Sequence, residues 1–149
     1  MKKRIIALGL LWCLSAVMLQ AARVDTVLVR SAAMNKDVKV VYVLPDKAIG
    51  KQACPVVYLL HGYGGNARSG VQLKPELPQM ADEKGIIFVC PDGKNSWYWD
   101  SPENPAYRYE TFVTSELVKY TDGNYATIPD SKARAISGLS MGGHGALWS

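Results

Sequence analysis

Two stretches near the N-terminus, residues 24–30 and 38–44, are rich in valine and partly alternate apolar with polar side chains. Half-buried strands show this period of two, and the polar segment SAAMNKD between them reads as a turn, so the pair predicts an antiparallel hairpin. Further along, the pattern changes. CPVVYLL, GIIFVC and ARAIS are short, continuous apolar runs that stop at HGYGG, PDG and GLSMGG. Such runs suit strands covered on both faces, as in a parallel sheet. The segments between them read as helices. PELPQMADEKG has Pro75 and Pro78 near its start and Gly85 as a stop. AYRYETFVTSELVKYTDGNY places Tyr109, Phe112, Val113, Leu117 and Tyr120 near one face, with Gly123 expected beyond its end. Strands alternating with helices predict an α/β fold. There is no internal repeat, low-complexity tract or interdomain linker.

Residues 1–22 stand apart from this pattern. Met1, Lys2, Lys3 and Arg4 form a basic segment, an apolar run follows over 5–19, and small residues stand at Ala21 and Ala22. That order is the signature of a secretory signal peptide. The apolar run is shorter than the ~20 residues a membrane-spanning helix needs, and Gln20, Arg23 and Asp25 follow at once. Cys13 is preceded by Trp12, where a lipid-attachment motif has a small residue, so it is read as part of the discarded segment. Cleavage removes three of the 17 basic residues against an unchanged 13 acidic ones, and the formal net charge falls from +4 to +1. The basicity is therefore an export signal and not a nucleic-acid footprint. Residues 23–149 suffice for one small domain.

Cys54 and Cys90 remain after cleavage. Cys54 precedes one apolar run and Cys90 closes another, so parallel neighbours place them at opposite ends of the sheet. At ~3.3 Å per residue their separation far exceeds the ~7 Å Cα limit for a disulfide. Two buried free thiols are expected.

The last apolar run leads into Gly138, Ser140 and Gly142, a Gly-x-Ser-x-Gly pattern followed by the helical MGGHGALW. A serine on a tight strand-to-helix turn needs strained backbone angles, and side chains two residues either side would collide. Ser140 would stand at a helix N-terminus, where amides and dipole favour developing negative charge. The Met141 N–H is the natural first oxyanion donor. HGYGGN, residues 61–66, follows the first parallel strand, and the Tyr63 N–H is the candidate second donor.

Together VVYLLHGYGGN, GIIFVCPDG, NSWYWDSP, YRYETFVTSELVKY and RAISGLSMGGHGAL resemble the esterase D-like family of α/β-hydrolases, which includes tributyrin, feruloyl and acetylxylan esterases, S-formylglutathione hydrolases and mycolyltransferases. The resemblance runs from about residue 38 to residue 147. It implies Ser140 as nucleophile and the amides of Tyr63 and Met141 as oxyanion hole. It also implies a triad in the order Ser, Asp or Glu, His, whose acid and base lie on loops after later strands. Those positions have no counterpart in these residues, so only the N-terminal part of the family is covered. The expected architecture is an α/β-hydrolase fold, three-layered with a mostly parallel sheet, truncated after the nucleophile elbow and with its last strand open at the edge.

His144, one helical turn after Ser140, and His61, in the oxyanion loop, are read as packing or surface residues and not as the base, which has to approach from an opposing loop. Asp92 reads as a turn former. Glu110 and Glu116 read as solvated or capping residues. Trp97, Tyr98 and Trp99 follow the strand ending at Cys90 and fall on the edge where ligands bind in open α/β sheets. They either wall a substrate pocket or cover a core edge.

The resemblance implies an exported, periplasmic or extracellular serine carboxylic-ester hydrolase, acting on short acyl, acetyl or feruloyl esters that are small molecules or polysaccharide-linked. The chain by itself is expected to be inactive. Alternatives are acyl transfer to a sugar hydroxyl and a non-catalytic carbohydrate-binding module with a vestigial Ser140. Cytosolic S-formylglutathione hydrolysis fits SMGGHGAL, but the leader disfavours it. No metal, cofactor or nucleic-acid partner is implied, nor a stable membrane anchor after cleavage.

Overall fold

The computed structural model describes residues 22–149, so all but the last residue of the leader lies outside the described residues. The two valine-rich stretches form β1 (Arg23–Ser31) and β2 (Lys36–Leu44), paired antiparallel from Arg23↔Leu44 to Ser31↔Lys36. Asn35, with φ 51°, takes the left-handed position that closes the turn. The three continuous runs form β3 (Val56–Leu60), β4 (Ile87–Pro91) and β5 (Arg134–Gly138). The sheet order is β1-β2-β4-β3-β5. β4 and β5 flank β3 in parallel, while β2 joins β4 antiparallel. The sheet is therefore mixed but mostly parallel, as expected: β1, β4, β3 and β5 share one direction and only β2 opposes it.

Burial on both faces explains the continuous runs. Val40, Tyr42, Val56, Tyr58, Leu60, Ile87 and Val89 face one layer, built from Tyr109, Phe112, Val113, Leu117 and Met141. Val43 and Phe88 face the other, built from Leu77 and Ala81. Alternate residues of the same strands thus enter two different cores, and neither parity can be polar. The second layer is α2 (Ser69–Leu73) and α3 (Leu77–Lys84), the latter ended by Gly85 at φ 64°. A four-residue α1 (Asp46–Ile49) follows β2. Neither α1 nor α2 was legible in the sequence, because four or five residues are too few to show a helical period.

The long helix differs from its expected form in two ways. It runs as α4 (Tyr109–Thr111), a π-helical turn (Phe112–Glu116) and α5 (Leu117–Asn124). The wider turn advances the buried stripe, so Thr121 takes the fully buried place and Tyr120 packs at its margin. Thr121 Oγ1 meets Tyr42 Oη at 2.9 Å, which satisfies two polar atoms inside the core. Gly123 lies within α5 and not beyond it. It is the next-to-last residue of the helix, on an exposed side where a side chain would meet open space, while Leu117 and Thr121 are buried.

Cys54 and Cys90 are buried free thiols, as expected. Burial pushes the Cys90 thiol up to about 12. At the far side of the sheet β5 pairs with β3, and among the described residues no strand covers its other edge.

Candidate active site

Three loops meet at the C-terminal edge of the parallel strands. The one after β5 is the elbow. Ser140 adopts φ 54° and ψ −114°, between Gly138 at the end of β5 and Met141 at the start of α6 (Met141–Trp148). A non-glycine residue held there costs on the order of 1–3 kcal/mol, and the neighbouring packing maintains it. A Cβ on Gly138 would come within 2.2 Å of the Gly142 carbonyl carbon, and one on Gly142 within 2.0 Å of the Leu60 oxygen. Both glycines are needed because strand, turn and helix pass through each other's side-chain space. Leu139 N–H donates to Leu60 O at 3.2 Å and Gly142 N–H to Leu139 O at 2.9 Å, fastening the turn to β3. As the first residue of α6, Met141 has an N–H with no acceptor inside the helix, while its side chain is fully buried.

The loop after β3 abuts the elbow: a Cβ on Gly62 would stand 3.7 Å from Ser140 Cβ. Gly65 N–H donates to Gly62 O at 3.0 Å, and Gly64 sits at φ 76°, so Tyr63 is the second residue of a type II turn. The Tyr63 ring is exposed to solvent.

This turn is held from the third loop. Gly64 N–H donates to Asn95 Oδ1 at 2.8 Å. His61 Nδ1 bonds Gly62 O at 2.7 Å, which requires the proton on Nδ1, and Nε2 accepts from Gly93 N–H at 2.9 Å. With Nε2 an acceptor, Asp92 Oδ1 at 3.5 Å is a neighbour and not an ion-pair partner. Tyr98 Oη donates to His61 O at 3.2 Å. Asn95 was not legible in the sequence, since its contact spans 31 residues and joins two irregular loops.

Asp92 is a turn former, as read from the sequence: its Oδ1 accepts from Lys94 N–H at 3.0 Å and its Oδ2 lies 2.9 Å from Lys94 Nζ. Burial pushes this carboxyl up. The His61 ring beside it and, in the tautomer Gly93 selects, chiefly the Lys94 amide and ammonium outweigh burial, so its pKa is held well below the usual carboxylate range.

The aromatic stretch divides. Trp97 and Tyr98 both take φ 58°, which turns their side chains to opposite fates. Trp97 and Trp99 are about half exposed, whereas Tyr98 is fully buried. A Cβ on Gly145 of α6 would fall 2.7 Å from Tyr98 Cβ, and one on Gly93 would fall 2.2 Å from its ring. Tyr98 therefore covers the core edge and is not a pocket wall, and burial raises its phenol far above the ordinary range. Trp97 and Trp99, with His144 and Trp148 of α6, line an open cavity of about 310 Å³.

His144 is engaged there: Nδ1 lies 3.3 Å from Trp97 O, and the ring stands edge-on to Trp97 and parallel to Trp148. Neither histidine is hydrogen-bonded to Ser140 Oγ. Of the two glutamates read as solvated or capping residues, Glu110 accepts from Trp148 Nε1 at 3.0 Å. Glu116 is a latch: Oε2 accepts from Ser31 Oγ at 2.5 Å and Oε1 from Ala33 N–H at 2.8 Å. Among the described residues no cluster of three or more His, Cys, Asp or Glu is placed to hold a metal ion.

A serine elbow at the C-terminal edge of a three-layer α/β sheet, faced by a glycine-rich loop, defines the α/β-hydrolase class. The family model described as Putative esterase matches residues 31–149, and the chain belongs to that family of serine esterases. It is similar to an acetyl esterase of Caldicellulosiruptor saccharolyticus, with 29% identity over 126 residues, 78% of this chain and 46% of that protein. Its structure is similar to that of an S-formylglutathione hydrolase from Agrobacterium tumefaciens, with a TM-score of 0.74 and 28% identity, over 87% of this chain and 55% of that one. A solved ferulic acid esterase gives a TM-score of 0.71 and 29% identity, over 84% and 53% of the respective chains. The chain thus spans about half the length of the relatives it matches.

Proposed function

We propose that these residues supply the nucleophile and oxyanion hole of an exported serine carboxylic-ester hydrolase. The observation that carries this reading is the elbow: Ser140 is held at φ 54° at a helix N-terminus, with the Gly62 loop packed against it. Ser140 Oγ attacks the ester carbonyl carbon while a histidine takes its proton. The N–H groups of Met141 and Tyr63 hold the oxyanion, and the alcohol leaves with the proton from that histidine. Water, deprotonated by the same base, then cleaves the acyl-serine and releases the acid. His61 and His144 are both committed elsewhere, so the base and the acid that orients it come from outside these residues. The half-length match to the esterase relatives agrees with this division.

Export rests on the basic and apolar leader, which would direct the enzyme toward small or polysaccharide-linked esters in the periplasm or medium. Hydrolysis of 4-nitrophenyl acetate tests the assignment. Residues 23–149 alone are expected to stay near the buffer rate. A polypeptide that also carries the missing histidine loop is expected to give a burst and steady turnover, both abolished in Ser140→Ala. Steady, Ser140-dependent turnover by residues 23–149 alone would refute the missing base, and a burst surviving Ser140→Ala would refute the nucleophile.

A further inference from the structure

β4 ends at Pro91, opposite Val40, so the first residues of β2, Lys36 to Lys39, run on past it. Asp92 N–H, donating to Lys39 O at 2.9 Å, fastens the point where the two part. The notch that opens there has a volume of about 230 Å³. It lies on the same C-terminal edge as Ser140 but beside β4, two strand spacings or ~10 Å across the sheet from β5. Leu28, Val38 and Tyr109 give it apolar walls, and Lys36, Lys39 and Lys94 also line it.

The donors here outnumber the acceptors. Asp92 Oδ1 accepts from the Lys94 amide and its Oδ2 lies 2.9 Å from Lys94 Nζ, while Asp37 pairs with Arg30 at 3.5 Å. Lys36 and Lys39 make no ion pair among the described residues, so two positive charges at the notch are left without a carboxylate. Lys36 is also held in place. Its ammonium donates to Ala106 O at 2.5 Å and stands 5.1 and 4.8 Å from the ring centres of Tyr107 and Tyr109. Burial first, and then the Lys94 charge, lower its pKa, as befits a cation with no counter-charge of its own.

Tyr109 is a second, independent signal. It is 1% exposed and lines the notch, and its hydroxyl has no hydrogen-bond partner among the described residues, where buried phenols as a rule find one. Burial, and then the Asp92 charge, push that phenol up to about 12, so at neutral pH it keeps its proton and is a donor.

Three ammonium groups and a phenol are point donors supplied by separate parts of the chain. A carboxylate is best met by the planar fork of an arginine, and no arginine of the described residues lines the notch. A tetrahedral phosphate presents oxygens in several directions and suits the point charges of lysines. The apolar walls beside it suit the carbon skeleton of a monoester. We propose that the notch beyond β4 is a phosphate-binding site, with Lys36, Lys39, Lys94 and the Tyr109 hydroxyl as its donors. The assignment stands apart from the esterase reading.

The test titrates the chain with inorganic phosphate, glucose 6-phosphate, glucuronate and glucose at equal ionic strength, and follows the lysine side-chain and Tyr109 ring signals by NMR. At least one phosphate probe is expected to shift Lys36, Lys39, Lys94 and Tyr109 with an affinity at least fivefold above that of glucuronate, and glucose is expected to shift none of them. Tighter binding of glucose 6-phosphate than of inorganic phosphate names a monoester as the ligand, and the reverse names the free anion. Lys36→Gln and Lys39→Gln are each expected to weaken binding at least threefold, and Tyr109→Phe at least twofold, with the rest of the spectrum retained. Lys39→Gln alters an exposed side chain and keeps the test open should the other variants fail to fold. A smaller margin over glucuronate, phosphate shifts no larger than those of sodium chloride, or an affinity unmoved by Lys39→Gln would each overturn the proposal.

Discussion

Asp92 illustrates how a buried carboxylate takes a structural role beside the glycine-rich loop that faces Ser140. Its oxygens receive the Lys94 amide and ammonium, and it stiffens the turn from which Gly93 reaches His61. Because its pKa is held below that of an unfolded aspartate, near 3.9, the folded state stays ionised at a pH where the unfolded chain has already taken a proton. Its contribution to stability is therefore complete above about pH 4 and drains away as pH falls toward the depressed pKa. Asp92→Asn is expected to lower stability at pH 7 and to flatten the loss of stability between pH 5 and 2.5, as measured by urea unfolding. An unchanged pH slope would show that the Lys94 contacts hold no free energy. Lys94 Nζ is largely solvent-exposed, so salt should shrink the difference between the two proteins.

Among the elements, β1 to β5 and the nucleophile elbow were legible because each rests on a local rule: valine alternation, continuous apolar runs, and glycines two residues either side of a serine. The π turn was not, since Phe112 to Glu116 have good helical composition and only the packing of Glu116 against the hairpin shows why an extra residue is accommodated. The division of Trp97, Tyr98 and Trp99 was also hidden. Consecutive aromatic residues at positive φ break the propensity rules, and the glycines that admit Tyr98, at 93 and 145, lie in other segments. The Glu116 latch carries a consequence for stability. Its carboxylate joins the π turn to the β1–β2 turn through two hydrogen bonds, one from a fully buried hydroxyl. Hydrogen bonds to a charged group are worth about 1.5–3 kcal/mol each, and partly exposed ones less. Glu116→Ala is expected to cost roughly 2 kcal/mol in urea unfolding, with Glu116→Gln intermediate. Equal stability of the three proteins would show that the hairpin and helix are held by apolar packing alone.

The two edges of the sheet are protected unequally. β1 carries Arg23, Asp25 and Arg30 along its outer side, a charged edge that discourages pairing with another chain. β5 has a single charge, Arg134, and that is bound to Asp122. The remainder, Ala135, Ile136, Ser137 and Gly138, offers an uncharged strand flanked by two cavities. One of about 160 Å³ is lined by Leu59, Leu73 and Leu139, and one of about 230 Å³ by Tyr58, Val113 and Ile136. Apolar recesses on both faces of an open strand are the conditions under which a second strand gains both backbone hydrogen bonds and side-chain burial. Residues 23–149 are therefore expected to associate as their concentration rises, with β5 at the contact. Ala135→Lys places a charge on that edge without touching the elbow, and should hold the chain monomeric in sedimentation velocity at concentrations where the parent sequence does not remain so. A parent sequence that stays monomeric throughout would show that the open β5 edge drives no association, and equal association by Ala135→Lys would place the contact elsewhere. The exposed Leu147 at the end of α6 would then be the next surface to charge.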